Sequence, residues 1–164
     1  MFDQYLVTGA TGFLGRAVAE ELVRRRAQVH ALVLRDDPYI HLLPKEVHTV
    51  IGDVCVESSL TDFFADADSR TCVIHCAGIV SVASRPGSKL YQVNVGGTWR
   101  VLRQCMEHNV GKMVYVSSVH AYRKSQRTAS LRKIANSLRG LWTEITPKAR
   151  QLQQSWFSMR RSAG

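Results

Sequence analysis

Three glycines at intervals of three residues form the first feature of the sequence that could bind a ligand. Gly9, Gly12 and Gly15 lie in the segment TGATGFLG, residues 8–15, which follows a short apolar run and opens a helical pattern. Gly9 would allow a tight turn, Gly12 would let the backbone approach a pyrophosphate, and Gly15 would permit close packing of the helix on the strand. The N–H groups and the dipole at the start of that helix would then face the phosphates. The segment therefore predicts a dinucleotide site.

The elements around this turn alternate between strand and helix patterns. Apolar runs predict strands at 5–8, 29–34, 47–51, 72–76 and 112–116. Helical spacing of apolar residues predicts helices at 13–23 and at about 88–107, and Ser58 or Ser59 is expected to cap a short helix through residues 63–64. Strands rich in Val, Ile and Leu that alternate with helices predict an α/β protein with a parallel sheet covered on both faces. Ligands of such sheets bind beyond the carboxyl ends of the strands.

Further motifs follow these strands in a fixed order. GDV at 52–54 follows the third strand, HCAG at 75–78 ends the fourth, NVGGT at 94–98 lies in the next helix, and VSS at 116–118 follows the fifth. Together with TGATGFLG, they resemble the extended short-chain dehydrogenase/reductase superfamily, and within it the NAD-dependent epimerase/dehydratase family. The resemblance covers residues 1 to about 120.

The resemblance implies a Rossmann-like, doubly wound parallel sheet of about five strands, which ends before the family's sixth strand and substrate domain. It also implies that a nicotinamide dinucleotide, NAD or NADP, binds at the carboxyl edge of the sheet. The pyrophosphate would be held by Gly9, Thr11, Gly12, Phe13, Leu14 and Gly15, the adenine would be contacted by Asp53 and Val54, and the adenine-ribose and nicotinamide side would be lined by Cys76, Ala77 and Gly78. Asn94 would help to organise the long helix and its neighbours.

The residue that distinguishes NAD from NADP is expected about 20 positions beyond the glycines. That count reaches Arg35, which is followed by Asp36 and Asp37. An arginine favours the 2′-phosphate of NADP, whereas the two carboxylates oppose that preference, and an arginine in a solvated loop is an equally simple interpretation. The sequence therefore favours NADP only slightly.

The resemblance implies that catalysis depends on a Tyr-x-x-x-Lys pair and on a nearby Ser or Thr hydroxyl. Ser118 matches the position of the Ser/Thr, whose hydroxyl would bond the reacting oxygen of the substrate. None of the five tyrosines is followed by lysine four positions later, and Tyr122, the nearest imitation, lies too close to Ser118 for the family's order. The family's substrate-binding region is also missing. We therefore expect dinucleotide binding with little or no turnover.

The net charge of +9 comes from the last part of the chain. Residues 1–120 contain 12 basic and 12 acidic residues, whereas residues 121–164 contain 10 basic residues and one acidic residue, Glu144. We therefore divide the chain into an incomplete dinucleotide-binding domain, 1–120, and a basic tail, 121–164. The abrupt change favours a frame shift or a miscalled gene near residue 121. Apolar residues at helical spacing over 131–145 support the alternative, a real helix.

Two functions fit these features. The first is that of an NAD(P)-binding fragment of an epimerase, dehydratase or reductase that acts on a nucleotide sugar or another carbonyl or hydroxyl substrate. The second is that of a non-catalytic regulatory module that senses the state of the NAD(P) pool and engages a partner through the basic tail. An active enzyme with a rearranged acid and base is a third interpretation.

Composition excludes several other classes of protein. A hydrophobic content of 45% and a charged content of 21% are typical of a soluble globular protein. No run approaches the roughly 18 apolar residues of a membrane span, and the start lacks the pattern of a secretory signal, so we expect a cytoplasmic protein. Its cysteines are expected to be reduced thiols, and no spacing of Cys and His indicates a metal site. These cysteines are Cys55, Cys72, Cys76 and Cys105.

Two expectations concern macromolecular partners. The basic tail contains no nucleic-acid-binding motif, so we expect no specific nucleic-acid partner. The fifth strand would have no sixth strand beside it, and an exposed sheet edge favours pairing with another chain. A homodimer through that edge is therefore possible.

Overall fold

The apolar runs of the sequence form one parallel sheet. The structure, a computed structural model, describes residues 2–80 and 87–117. Its strands are β1 (Gln4–Thr8), β2 (Gln28–Val33), β3 (His48–Ile51), β4 (Thr71–His75) and β5 (Lys112–Tyr115), in the spatial order β3-β2-β1-β4-β5. All four neighbouring pairs are parallel. The order reverses between β1 and β4, which is where ligands bind in doubly wound sheets. The predicted Rossmann-like sheet of five strands is confirmed.

Helices cover both faces of this sheet. They are α1 (Phe13–Arg24), α2 (Thr61–Phe64), α3 (Ser88–Tyr91) and α4 (Thr98–Glu107). The helix predicted at about 88–107 has the expected extent, but a π-helical turn, Gln92–Gly97, separates α3 from α4. A Cβ on Gly97 would lie 2.7 Å from Cγ2 of Val54, so the glycine lets this turn approach the loop after β3. Such π turns often occur at functional sites.

Two hydrophobic cores lie on opposite faces of the sheet. Because successive strand residues point to opposite faces, Leu6 of β1 joins one core and Val7 joins the other. The first core contains Phe63 and Phe64 of α2 and residues of α4, and the second contains residues of α1. This packing orients the helices so that α1 begins at the carboxyl edge of the sheet.

The predicted cap of the short helix is wrong. The segment Glu57–Leu60 forms a 3₁₀ turn, and α2 begins at Thr61 without a side-chain cap. The Ser59 hydroxyl accepts a hydrogen bond from the Asp53 N–H at 2.9 Å, and its own hydrogen lies within bonding distance of the carbonyl oxygens of Asp53 and Val56. Ser59 therefore closes the loop after β3 and does not begin a helix, because the polar groups of that loop lie nearer.

The basic tail, 121–164, lies outside the described residues, so its helix and the frame shift stay predictions. Within the described ranges, the strands at the two edges of the sheet are β3 and β5. No helix in the same ranges is long and apolar enough to cross a bilayer.

The packing of α2 generates a test of the first core. Phe64 is fully buried, whereas Phe13 is 90% exposed. We expect Phe64→Ala to lower the free energy of unfolding by about 3–5 kcal/mol, because it removes buried surface and leaves a cavity. The same substitution at Phe13 should change that free energy by no more than about 0.5 kcal/mol. Urea unfolding without ligand measures both, and equal losses would contradict the assignment of this core.

Candidate functional site

The glycine-rich turn packs directly against the end of β4. Gly9 has a φ of +67°, a conformation that side chains rarely adopt, and a Cβ there would lie 2.6 Å from the backbone nitrogen of Ala77. A Cβ on Gly15 would overlap the carbonyl oxygen of Gly9. Both positions therefore require glycine. Gly9 lies too close to the segment after β4 for a side chain, and Gly15 lies too close to the glycine-rich turn.

The start of α1 is open to a ligand. Gly12 is the residue before the helix, its N–H donates to the Gly9 carbonyl at 3.1 Å, and no side chain caps the helix. Gly12 and the two residues after it are exposed, with Phe13 at 90% and Leu14 at 48%. The first N–H groups of a helix have no intrahelical acceptor, and the helix dipole places positive potential there. This end of α1 can therefore bind an anion such as a pyrophosphate.

An open cleft of about 680 Å³ lies at the carboxyl ends of β2 and β3. It is lined by Leu34, Arg35, Asp36, Asp37, Pro38, Tyr39, Ile51, Gly52, Asp53, Val56 and Ser59. Arg35 and Asp36 are exposed, whereas Asp37 is half-buried and accepts a hydrogen bond from the Thr11 hydroxyl at 2.6 Å. Thr11 of the glycine-rich turn is therefore bonded directly to a residue that lines this cleft.

The two residues predicted to contact an adenine differ in what they offer. Oδ1 of Asp53 accepts a hydrogen bond from the N–H of Cys55 at 2.8 Å, and the residue lines the cleft. The Val54 side chain is only 6% exposed and packs in the first core. Val54 would therefore present its backbone, and not its side chain, to a ligand.

The segment after β4 is fixed to β1 by hydrogen bonds to the backbone and the side chain of Thr8. The N–H of Cys76 donates to the Thr8 carbonyl at 3.0 Å, and the N–H of Ala77 donates to the Thr8 hydroxyl at 3.2 Å. Cys76 and Ala77 are half-buried, and Gly78 is exposed. Burial raises the pKa of the Cys76 thiol, so it is protonated at neutral pH and is a poor nucleophile. This segment can line a ligand but does not supply a reactive thiolate.

Asn94 holds the chain that follows this segment. Its Oδ1 accepts from the N–H of Ile79 at 2.7 Å, and its Nδ2 donates to the Ile79 carbonyl at 2.9 Å. Because Asn94 lies in the π turn before α4, this pair of bonds ties that helix to the carboxyl edge of the sheet. The organising role of Asn94 in a dinucleotide site stays a prediction.

Sequence reasoning missed a buried hydrogen-bond network centred on His75. His75 is 0% exposed, its Nδ1 lies 2.6 Å from Oγ1 of Thr8, and its Nε2 lies 3.0 Å from Oγ1 of Thr98. Thr98 donates its single hydroxyl hydrogen to the Asn94 carbonyl at 2.8 Å, so it must accept from His75. Thr8 then donates to Nδ1 of His75 while it accepts from Ala77.

This network fixes one tautomer of a neutral imidazole, with the hydrogen on Nε2. Burial lowers the pKa of His75 from 6.5 to about 4, because the charged form would lose its hydration. A signal for the contact was available in the sequence, since Thr8 ends the first predicted strand and His75 is the next-to-last residue of the fourth. The register confirms that they are directly opposite on β1 and β4.

The structure thus brings most predicted site residues to one edge of the sheet. Ser118 lies outside the described residues. Two positions before it, the N–H of Val116 donates a hydrogen bond to the His75 carbonyl at 3.0 Å. Among the residues that the structure describes, no group of three or more His, Cys, Asp and Glu side chains could hold a metal ion.

Comparison of the sequence with known proteins identifies the family of this chain. The NAD dependent epimerase/dehydratase family matches residues 5–138, which extends past residue 120, where the sequence motifs end. Human 3 beta-hydroxysteroid dehydrogenase type 7 is 35% identical over 122 residues, which cover 70% of this chain and 32% of that protein. This chain therefore spans about a third of the length of that curated relative.

Solved structures share the fold. A short-chain dehydrogenase/reductase superfamily protein from Agrobacterium tumefaciens with bound NAD superposes with a TM-score of 0.59 at 28% identity, over 70% of this chain and 32% of that one. The UDP-glucose 4-epimerase of Thermus thermophilus, in complex with NAD, has a TM-score of 0.65 at 24% identity, over 77% of this chain and 42% of that one.

The buried His75 predicts a dependence of stability on pH. Between pH 6.5 and about 4, the unfolded chain binds a proton at His75 that the folded chain does not bind. The free energy of unfolding should therefore fall as the pH is lowered through this window, by up to about 3 kcal/mol from this group. Above pH 6.5, His75 should not make the free energy of unfolding depend on pH.

The matched variant is His75→Gln, which keeps a donor and an acceptor but cannot titrate. His30, whose pKa burial also lowers, is unchanged in this variant and so cancels in the difference between the two proteins. Urea unfolding at pH 7, 6, 5 and 4 should give a steeper fall for the unmodified chain. Parallel curves for the two proteins would refute the neutral buried imidazole.

Proposed function

Because this chain belongs to the NAD dependent epimerase/dehydratase family, we propose that the carboxyl edge of its sheet binds a nicotinamide dinucleotide. The observation that carries the proposal is the open start of α1 beside a cleft at the ends of β2 and β3. Gly12 leaves that start accessible, since a Cβ there would meet only the Gly9 carbonyl oxygen at 3.3 Å. The residues therefore fit a ligand with a pyrophosphate and an adenosine.

Each part of the dinucleotide has its own group of residues. The N–H groups at the start of α1 would bind the pyrophosphate, and the cleft that Asp53 lines would take the adenosine. The segment Cys76–Gly78 would border the nicotinamide half. When bound, the nicotinamide supplies hydride transfer, whereas the protein supplies binding and orientation.

We propose a slight preference for NADP over NAD. Arg35 is exposed at the cleft, where its guanidinium can bind a 2′-phosphate. Asp37 is engaged with Thr11, which leaves Asp36 as the carboxylate that opposes this preference. The two neighbouring charges of opposite sign make the preference small.

We also propose that these 164 residues bind the dinucleotide with little or no turnover. Proton transfer in this family would need a tyrosine whose pKa is lowered by a lysine four positions later, and the sequence contains no such pair. Ser118 is proposed as the position that would bond the reacting oxygen. The substrate class proposed for the family site is a nucleotide sugar or another carbonyl or hydroxyl compound.

The alternative function is that of a regulatory module, and the charge of residues 121–164 favours it. Ten basic residues against one acidic residue could bind an acidic partner. If the module senses the dinucleotide, retention of the full chain on a heparin column should change when NADP is present. Unchanged retention would favour the simple binding fragment.

Two further proposals concern location and assembly. The four cysteines, all among the described residues, are unpaired there, which suits a reducing compartment such as the cytoplasm. Val114 and Tyr115 of the edge strand β5 are 38% and 50% exposed, which supports pairing of two copies along that edge.

The open start of α1 provides a direct test of binding. Gly12→Val would place a branched side chain where the pyrophosphate must approach, so the affinity for NAD and NADP should fall by roughly tenfold or more. Gly87→Val is the matched control, because a Cβ on Gly87 would meet nothing within 4 Å. Calorimetric titration of the full chain measures both, and thermal melting shows whether each variant is folded. Equal affinities for the folded Gly12→Val variant and the unmodified chain would contradict the proposed site.

The preference for NADP has its own test. Arg35→Ala should lower the affinity for NADP by about tenfold and leave the affinity for NAD unchanged, because only NADP carries the 2′-phosphate. Asp36→Asn should raise the affinity for NADP, since it removes a negative charge that would repel the 2′-phosphate. Lys45→Ala removes an exposed positive charge that does not line the cleft, and it should leave the ratio of the two affinities unchanged. A ratio that Arg35→Ala does not alter would contradict the assignment.

A further inference from the structure

We propose that the hydrogen bond between Thr11 and Asp37 is a clasp that preforms the dinucleotide site, and that Asp37 is a positioning residue and not a ligand of the ribose. The proposal rests on the proposed function. It concerns the joint between the glycine-rich turn, which would bind the pyrophosphate, and the loop after β2, which would bind the adenosine-ribose.

The geometry of this bond is that of a strong interaction. The Thr11 hydroxyl donates to Oδ2 of Asp37 at 2.6 Å, and both residues are half-buried. Hydroxyl-to-carboxylate bonds of this length are among the stronger hydrogen bonds in proteins. The two residues are 26 positions apart in the sequence, so the bond joins two loops that the backbone does not otherwise connect there.

The second oxygen of Asp37 is also occupied. Oδ1 accepts a hydrogen bond from the N–H of Tyr39 at 2.9 Å, and the backbone N–H of Asp37 donates to the Leu34 carbonyl at 3.2 Å. The carboxylate therefore bonds its own loop with one oxygen and the glycine-rich turn with the other. By contrast, the neighbouring Asp36 is exposed at the same cleft. This difference separates the two acids that the sequence could not distinguish.

The clasp joins the loop that would bind the pyrophosphate to the loop that would bind the adenosine-ribose. Thr11 immediately precedes Gly12 and the start of α1, and Asp37 lines the cleft beside Arg35. If the clasp opens, the two loops can separate, and a ligand that touches both must order them when it binds. Ordering flexible groups on binding reduces affinity, whereas a preformed site avoids that cost. The loss should be the same for NAD and NADP, because the clasp does not touch the 2′ position.

Thr11→Val is the decisive variant, because it removes the hydroxyl with little change in shape and leaves the charge of Asp37 in place. We expect calorimetry on the full chain to show about a tenfold loss of affinity for both NAD and NADP. Thr11→Ser, which keeps the hydroxyl, should restore most of the affinity. Thermal melting without ligand shows that each variant is folded.

Coupling between the two residues is measured in two backgrounds. In an Asp37→Asn chain, where the charged acceptor is gone, Thr11→Val should lower the affinity for either dinucleotide much less than it does in the unmodified chain. In an Asp36→Asn chain, the matched control, Thr11→Val should keep its full effect. A Thr11→Val effect that is equal in the two backgrounds would overturn the clasp.

The remaining outcomes separate this proposal from the proposed function. An unmodified chain that binds either dinucleotide with an affinity that Thr11→Val does not change would overturn the clasp alone. If Thr11→Val lowered the affinity for only one of the two dinucleotides, the clasp would also be overturned, since Thr11 would then act at the 2′ position. An unmodified chain that binds neither dinucleotide would overturn the proposed function and this proposal together.

Discussion

The close contact between the glycine-rich turn and the end of β4 is the constraint on which the site depends. At Gly9 there is no room for a side chain, because the backbone of Ala77 occupies that space. On the inner side of the same contact, Thr8 and His75 face each other across β1 and β4 and share a buried hydrogen bond. The order of the sheet reverses between these two strands, so the contact fixes the point at which a doubly wound protein can bind a ligand.

The His75 network extends this constraint to the rest of the edge. In this network each hydrogen has one acceptor. The N–H of Ala77 donates to the Thr8 hydroxyl, which donates to Nδ1 of His75. Nε2 of His75 then donates to the Thr98 hydroxyl, which donates to the Asn94 carbonyl. The Asn94 side chain then fixes Ile79. A buried network in which every member is satisfied is rigid, whereas loss of one member leaves a costly unpaired group. Neutral hydrogen bonds therefore hold the part of the site between β1 and β4, and the charged residues lie at the cleft after β2 and β3.

The sequence predicts the fold well, because strand and helix periodicity depends on local patterns. It also predicts the close packing at Gly9 and Gly15, since glycines at that spacing between a strand and a helix are typical of a tight turn. It fails where the outcome depends on distant groups. Ser59 bonds the loop of Asp53 and does not cap a helix, and the role of Asp37 follows from Thr11, 26 positions earlier. The close approach of the π turn at Gly97 to Val54 likewise joins residues that are distant in the sequence.

Backbone N–H groups at the start of α1 are proposed to bind the pyrophosphate of a nicotinamide dinucleotide. The most direct measurement is the movement of backbone amide resonances in ¹⁵N–¹H spectra of the full chain as NAD or NADP is added. We expect the amide resonances of Gly12, Phe13 and Leu14 to shift most, together with those of residues around the cleft after β2. Saturating dinucleotide that leaves these three amides unmoved would contradict this proposal.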